Sequence, residues 1–263
     1  MAESSNSMGW TDFKLEVADF LGYGRTSTDW DTGQTGRIEA CVHMGVRQFY
    51  QPPALSEQVQ RGEGVHEWSF IKPTTTLTTT SGDYDQDAPD DFGSLAGPMY
   101  FAPTIANHRV EKVSEGMVLA QRQIGTTTDY PRMVAMRWTA QDGTTGQRAE
   151  FLFWPTPGGA YVLTYSYYVL QGKLTTAAPY PLGGAAHAKT IMDSCLDYAA
   201  GMYRTDQYEL RHRLYLESLR GSIAHDNRFG WDTLGYNASH TAFAHSRPRG
   251  NPVQLEGVEV PVS

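Results

Sequence analysis

Residues 183–228 constrain the fold of this chain more than any other stretch, because apolar side chains recur there at helical spacing through two successive segments. In the first segment they are Ala188, Ile191, Met192, Cys195, Ala199, Met202 and Tyr203, and in the second Tyr208, Leu210, Leu214, Tyr215, Leu219 and Ile223. This spacing is typical of helices that bury one face. Asp206 and Glu209 have the separation of a capping box, which favours a helix start at Asp206. We therefore predict helices over residues 183–204 and 206–228, either separated by a break or joined as one bent rod.

Two further helices are predicted near the N-terminus, over residues 11–21 and 35–50. Thr11 or Asp12 can cap the first of them. Gly45 stands inside the second helix, where glycine is unfavourable, and this position indicates a close crossing with another helix. The apolar faces of these helices and of the two long ones need partners, so we expect a shared helical bundle core.

Between the helical segments the apolar period changes from 3.6 to 2, which predicts strands. The candidate strands are residues 68–71, 74–80, 132–138, 148–154 and 161–170. The last two are separated by Pro155–Gly159, which has the composition of a hairpin loop. Residues 81–89 are predicted to form an acidic turn, residues 90–100 a loop, and residues 113–123 a short helix capped by Ser114. Together the strands predict an inserted antiparallel β domain at about residues 66–170.

The predicted fold class is α+β: a helical bundle core with a long C-terminal helix pair, an inserted antiparallel β domain and an extended C-terminal arm. The predicted boundaries are residues 1–58 and 176–229 for the two parts of the helical core, 59–175 for the β domain and 230–263 for the arm. The arm has little periodicity and many Gly, Pro, Asn and His residues, which favours an extended segment over a core element.

Composition limits the partners that the chain can have. It has 263 residues, and its net charge of −8 argues against wrapping of nucleic acid through phosphate neutralisation. No run of about 18 apolar residues is present, so no membrane span is predicted. The N-terminus also lacks the basic and apolar regions of a signal peptide. Cys41 and Cys195 both fall on apolar helical faces, where we expect buried, reduced thiols.

Two segments come close to functional motifs without matching them. Residues 183–190 nearly match a phosphate-binding loop, but Ala188 replaces its second glycine and no buried strand precedes it. Residues 83–94 are similar to a calcium-binding loop, but Ala88 and Ser94 stand where glycine and glutamate are needed. We therefore predict no enzyme activity, no catalytic residues, no cofactor and no metal site.

Five segments follow one another in an order that is familiar from one family of structural proteins. They are Trp10–Leu21, Ile38–Tyr50, Glu67–Pro73, Phe153–Tyr168 and His187–Tyr203. Over about residues 10–228 this order resembles that of the head-to-tail connector (adaptor) proteins of tailed bacteriophages. The resemblance implies a helical-bundle core with an inserted β domain. It also implies a homo-oligomeric ring, usually of twelve copies, that docks under the portal protein, receives the tail and has no catalytic residues.

On this basis we expect a structural virion protein in the neck between head and tail, made in the cytoplasm of the bacterial host. Its expected partners are the portal protein, tail proteins and further copies of itself, with DNA passing through the ring without sequence-specific binding. Mixed charge suits two unlike faces, and spaced apolar anchors suit grooves on a partner. The candidate oligomer or portal contacts are therefore Arg213, Glu217, Arg220, Phe229, Trp231, Tyr236, Phe243 and Leu255.

Two other functions stay open at this point. The aromatic-rich residues 151–168 are compatible with a tail-associated module that binds a ligand or a carbohydrate. An active site between the domains, using carboxylates of residues 83–91, would instead make the chain an enzyme.

Overall fold

The computed structural model describes residues 4–60, 62, 64–103, 109–141, 143–144 and 146–230, and the α+β class predicted from the sequence is confirmed. Within these residues the α-helices are α1 Trp10–Leu21, α2 Thr32–Tyr50, α3 Ser56–Gln60, α4 Glu115–Ile124, α5 Gly184–Tyr203 and α6 Tyr208–Gly230. The strands are β1 Thr74–Thr78, β2 Asp85–Asp87, β3 Phe92–Leu95, β4 Met99–Phe101, β5 Arg109–Lys112, β6 Thr128–Asp129, β7 Met133–Trp138, β8 Ala149–Trp154, β9 Thr156–Pro157 and β10 Val162–Val169. The predicted arm lies outside the described residues, apart from its first position.

Helices α1, α2, α5 and α6 share one buried core. Its fully buried side chains include Phe13 of α1, Phe49 of α2, Cys195 of α5, and Tyr215 and Leu219 of α6. The helical period in the sequence therefore reflects real packing, because each of these residues lies on the apolar face of its helix.

The two long C-terminal helices form an antiparallel hairpin rather than one bent rod. Thr190 near the start of α5 lies beside Ser222 near the end of α6, with 2.6 Å between their Oγ atoms. At the other end, Asp197 Oδ1 lies 3.2 Å from His212 Nδ1. The second helix begins at Tyr208 and not at Asp206, because residues 205–207 form the turn that reverses the chain.

Side-chain caps explain why the N-terminal helices start earlier than predicted. Asp31 Oδ1 accepts a 2.7 Å hydrogen bond from Gln34 N, and Gln34 Oε1 accepts a 3.0 Å bond from Asp31 N. This capping box starts α2 at Thr32 instead of Thr35. The cap of α1 is Gly9 rather than Thr11 or Asp12, and Asp12 Oδ2 accepts a bond from Gly9 N.

Eight strands form one curled sheet in the order β1-β10-β4-β5-β7-β8-β2, with β3 also paired to β10. The curl brings distant strands face to face, since the ring of Phe151 on β8 lies 5.4 Å from the ring of Tyr165 on β10. Phe92, Phe153 and Leu163 are buried in the same cluster. The sheet thus encloses a second apolar core of its own, whereas the domain boundaries given above remain predictions.

The prediction of a purely antiparallel β domain is wrong at two pairings. β5 runs parallel to β7, and the short strands β6 and β9 are also parallel to each other. A parallel pair needs a crossover, and α4 supplies it between β5 and β7. Val118 of α4 packs on Ala135 and Leu152 of the sheet, so this helix covers the face of the sheet opposite to the aromatic core.

Three local predictions in the β region are also wrong. Pro155–Gly159 does not join a hairpin, because β8 pairs with β7 and β2 while β10 pairs with β1, β3 and β4. Residues 69–71 form a 3-10 turn instead of a strand. The predicted acidic turn and loop contain the strands β2, β3 and β4. These strands are too short to show an alternating apolar pattern in the sequence.

Candidate functional site

The outer face of α6 carries a continuous exposed stripe. Its inner face is buried through Tyr215, Leu219 and Ile223. The opposite positions follow helical spacing and are all exposed: Leu210, Arg213, Leu214, Glu217, Arg220, Gly221 and Ala224. The structure therefore brings the predicted contact residues Arg213, Glu217 and Arg220 together on one side of one helix.

This stripe combines apolar area with charges of both signs. Leu210 is 50% exposed and Leu214 37% exposed, which leaves two leucines facing outward on a helix that already has a buried face. Within the described part of the chain, neither Arg213 nor Glu217 forms an ion pair. An outward surface of this kind can contact another protein through both apolar burial and charge pairing.

The C-terminal turns of α6 are held by a buried carboxylate. Asp226 is 4% exposed, and its Oδ2 accepts a 3.0 Å hydrogen bond from Ser69 N. Ser69 Oγ donates a 2.5 Å bond to Asp226 Oδ1, and His66 Nε2 lies 2.9 Å from Asp226 Oδ2. Because Ser69 donates to the carboxylate and not to the histidine, these three residues do not have the geometry of a nucleophile activated by a base.

His187 lies next to this network in an aromatic environment. Its ring is 5.3 Å from Trp68, 5.0 Å from Phe70 and 5.6 Å from His225. Burial lowers the pKa of His187, and the nearby Asp226 only partly opposes this effect. The neutral imidazole is therefore the form that the folded protein favours.

A large cleft separates α2 from the sheet. Its volume is about 860 Å³, and its lining comes from α2, residues 67–71, β3, the end of β7 and the chain between β10 and Leu182. Met44, Trp138 and Leu170 line it and remain 39%, 49% and 55% exposed. Sequence reasoning missed this cleft because its walls are far apart in the chain; the signal available was Trp138 and Leu170 at the ends of predicted strands.

Some charged residues of the cleft form ion pairs with described residues and others do not. Glu67 Oε2 accepts hydrogen bonds from Lys72 Nζ at 3.2 Å and from Tyr168 Oη at 3.0 Å, and these bonds lower the pKa of Glu67. Arg47 and Lys173 also line the cleft, are exposed, and form no ion pair with any described residue. The rim therefore has an excess of positive charge.

The arm residues among the predicted contacts cannot be placed. Phe229 belongs to the last turn of α6, but its side chain lies outside the described residues. Trp231, Tyr236, Phe243 and Leu255 also lie outside them. Their role as contacts remains a prediction.

The two near-motifs have structural roles in the fold. Lys189 of the phosphate-loop-like segment lies 3.2 Å from Asp193 on α5. Asp85 of the acidic segment lies 3.2 Å from Arg137, which also contacts Glu150 at 2.6 Å. No group of three or more potential metal ligands occurs in the part of the chain that the structure describes. Across the same residues, no helix has both the length and the apolar character needed to cross a membrane.

The aromatic residues that suggested a ligand-binding module mostly face the core of the sheet. Phe151, Phe153, Tyr165 and Tyr167 are buried, and burial raises the pKa of Tyr165 and of Tyr167 to about 12. They are unavailable to a ligand at the surface.

The geometry therefore defines a protein whose exposed features suit contacts with other macromolecules. Comparison with protein families gives a match to the SU10 adaptor protein family over residues 8–233. The chain belongs to this family, and it is a structural adaptor protein of a bacteriophage virion. Comparison with curated protein sequences gives no match.

Proposed function

We propose that this chain is the head-to-tail adaptor of a tailed phage and acts as a homo-oligomeric ring of twelve copies in the neck of the virion. The observation that carries the proposal is the family match over residues 8–233, which includes the helices α1–α6 and the sheet of the described residues. The resemblance of segment order noted above supports the same function.

The outer stripe of α6 supplies one surface of the contact between neighbouring subunits. A ring is built from heterologous contacts, in which each subunit uses two different faces. Leu210 and Leu214 provide apolar area there, and Arg213, Glu217 and Arg220 provide charge of both signs. Mixed charge favours a defined partner surface over unspecific association.

The portal protein and the tail proteins are the further partners of the ring. DNA passes through its centre without sequence-specific contacts, and the net charge of −8 supports this because it disfavours neutralisation of phosphates. The arm, residues 230–263, carries anchors such as Trp231, Tyr236, Phe243 and Leu255, and it contacts a partner of the ring through these side chains. The protein is made in the host cytoplasm and has no catalytic role.

The proposal is tested with the full-length chain and purified portal protein. Native mass spectrometry and negative-stain images of the mixture are expected to show a ring of this chain attached to one end of the portal. A truncated chain that ends at Gly230 is expected to stay folded and soluble but to fail to join the portal. Purified chain that remains monomeric at all portal concentrations would contradict the function, whereas a truncated chain that still joins would contradict only the role of the arm.

A further inference from the structure

The cleft between α2 and the sheet has no role in the function proposed above, yet it combines exposed apolar walls with cations that pair with no carboxylate of the described residues. We propose that it binds residues 253–260 of the C-terminal arm of a neighbouring copy of this chain. This inference rests on the proposed ring, since the neighbouring copy must be held nearby. It adds the place where the arm docks.

The walls of the cleft offer apolar area that the chain itself leaves uncovered. Met44 comes from α2, Trp138 from the end of β7 and Leu170 from the residue after β10, and all three face the same cavity. Each of them is at least 39% exposed. The volume of about 860 Å³ lies within the range of about 300–1,000 Å³ that is typical of sites for bound ligands. Such a cavity can therefore take several side chains of an extended segment.

The charges of the cleft indicate the composition of the segment that can bind there. Arg47 and Lys173 are exposed and make no ion pair with a described residue, while Glu67 is already held by Lys72 and Tyr168. The occupant should therefore be apolar and acidic. Residues 253–260 have this composition: Val253, Leu255, Val258 and Val260 alternate with the carboxylates of Glu256 and Glu259.

The start of the arm lies close to the rim of the cleft. Asp226, one turn before the end of α6, is hydrogen-bonded to Ser69, and the nearby residues Glu67 and Ile71 line the cleft. The arm of each copy thus begins beside a cleft.

The arm is long enough to reach a neighbouring copy. About 22 residues separate Gly230 from Val253, and a chain of that length spans at most about 75 Å when fully extended. A compact body of roughly 230 residues has a radius of gyration of about 17 Å, so adjacent copies in contact have centres about 45 Å apart. The extended span exceeds this separation, so residues 253–260 can reach the cleft of an adjacent copy, which the proposed ring holds beside the arm.

A charge exchange tests the proposed pairing in the full-length chain. Arg47→Glu with Lys173→Glu is expected to lower the fraction of assembled copies at least tenfold in native mass spectrometry. Adding Glu256→Lys and Glu259→Lys to the same chain is expected to restore assembly. The matched control is Arg25→Glu with Arg132→Glu, because these exposed cations do not line the cleft. An equal loss in the control, or no recovery after the exchange, would contradict the inference.

Cross-linking identifies which copy supplies the arm. Two full-length chains, one with Leu170→Cys and one with Leu255→Cys, are mixed, assembled on portal protein and treated with a short bismaleimide. We expect a linked dimer that contains one of each chain. The control replaces Leu170→Cys with Ile124→Cys, since Ile124 is 82% exposed on α4 and does not line the cleft.

The outcomes of the cross-linking experiment distinguish a failure of this inference from a failure of the proposed adaptor function. Rings that form without a link between Leu170→Cys and Leu255→Cys would overturn this inference and leave the adaptor function intact. A third chain carries both Leu170→Cys and Leu255→Cys; a link that forms only within single copies of it would place the arm in its own cleft and would also overturn the inference. The absence of both rings and links would overturn the function and the inference together.

Discussion

A Cβ atom placed on Gly45 would lie 2.7 Å from the backbone nitrogen of Cys195, so α2 and α5 cross with their backbones in direct contact. At the same crossing, Ser194 Oγ donates a 2.8 Å hydrogen bond to the carbonyl oxygen of Gly45. The close crossing that the sequence predicted at Gly45 is confirmed. It holds the N-terminal helices against the C-terminal hairpin, and the glycine cannot be replaced without moving one of them.

We expect Gly45→Ala to lower the free energy of unfolding by about 1–3 kcal/mol, because the added methyl group overlaps the backbone of α5. The matched control is Gly36→Ala in the same helix, where an added Cβ meets no atom within 4 Å. That control should raise the stability by up to about 1 kcal/mol through helix propensity. Urea denaturation of both variants measures the difference, and equal effects would contradict the tight crossing.

Asp226→Ala should lower the free energy of unfolding by about 1–3 kcal/mol, because the buried carboxylate accepts hydrogen bonds from Ser69 N and Ser69 Oγ, and both bonds would be lost. The control is Asp206→Ala in the exposed turn before α6, which we expect to change stability by less than about 0.5 kcal/mol. Chemical denaturation, monitored by circular dichroism, measures the change in unfolding free energy for both variants. A neutral effect of Asp226→Ala would show that the network does not hold α6.

The free energy of unfolding should decrease as the pH is lowered through the range in which His187 takes up a proton. Burial lowers the pKa of this imidazole in the folded state, so the unfolded chain, with a pKa of about 6.5, takes up the proton more readily. The stability gained from the neutral ring is therefore complete above about pH 6.5 and is lost as the pH falls towards the folded-state pKa. His187→Leu should reduce the difference in unfolding free energy between pH 7.5 and 5.5. An unchanged difference would exclude His187 as its source.

The two cysteines should resist alkylation in the native protein. Both side chains are fully buried, and burial raises the pKa of Cys41 to about 11 and that of Cys195 further still. Because the thiolate is the reactive form, iodoacetamide at pH 8 should label neither of them until urea unfolds the chain. Mass spectrometry after timed labelling tests this. Ile124→Cys provides an exposed thiol that should react within minutes.

Reversing Arg213 and Arg220 together to glutamate should weaken ring formation and make it more sensitive to salt, because both residues lie on the outer stripe of α6. We expect a decrease of about tenfold in the assembled fraction at moderate salt. The control is Arg132→Glu, because Arg132 immediately precedes β7 and does not lie on α6. An unchanged mass distribution of portal-bound complexes would count against the stripe as a subunit contact.

The helices were predictable because burial of one face imposes a period on the sequence. Phe13, Phe49, Cys195 and Leu219 all stand on predicted apolar faces, and all of them are buried in the same core. The observed helices begin a few residues away from their predicted starts. Spacing alone does not show which of several neighbouring polar side chains forms the cap.

The sheet was less predictable because pairing depends on contacts between distant parts of the chain. The alternation of Leu163, Tyr165 and Tyr167 identified β10, but nothing local indicated that its partners are β1, β3 and β4. Residues 69–71 have strand-like composition, yet Asp226 and the packing of Trp68 hold them in a turn. The cleft escaped prediction for the same reason, since its walls meet only in the folded chain.

The pairing of β10 also determines the order in which a growing chain can fold. The partners β1, β3 and β4 all leave the ribosome well before β10, and the N-terminal helices precede α5 by the whole length of the sheet. Synthesis at about 5–20 residues per second leaves both cores open for several seconds. The core of the sheet cannot close until β10 has emerged, and the helical core also needs Tyr215 and Leu219 of α6, so the nascent chain exposes unpaired strand edges and apolar helix faces at the same time. Unpaired edges and exposed apolar faces of this kind favour aggregation until both cores have closed.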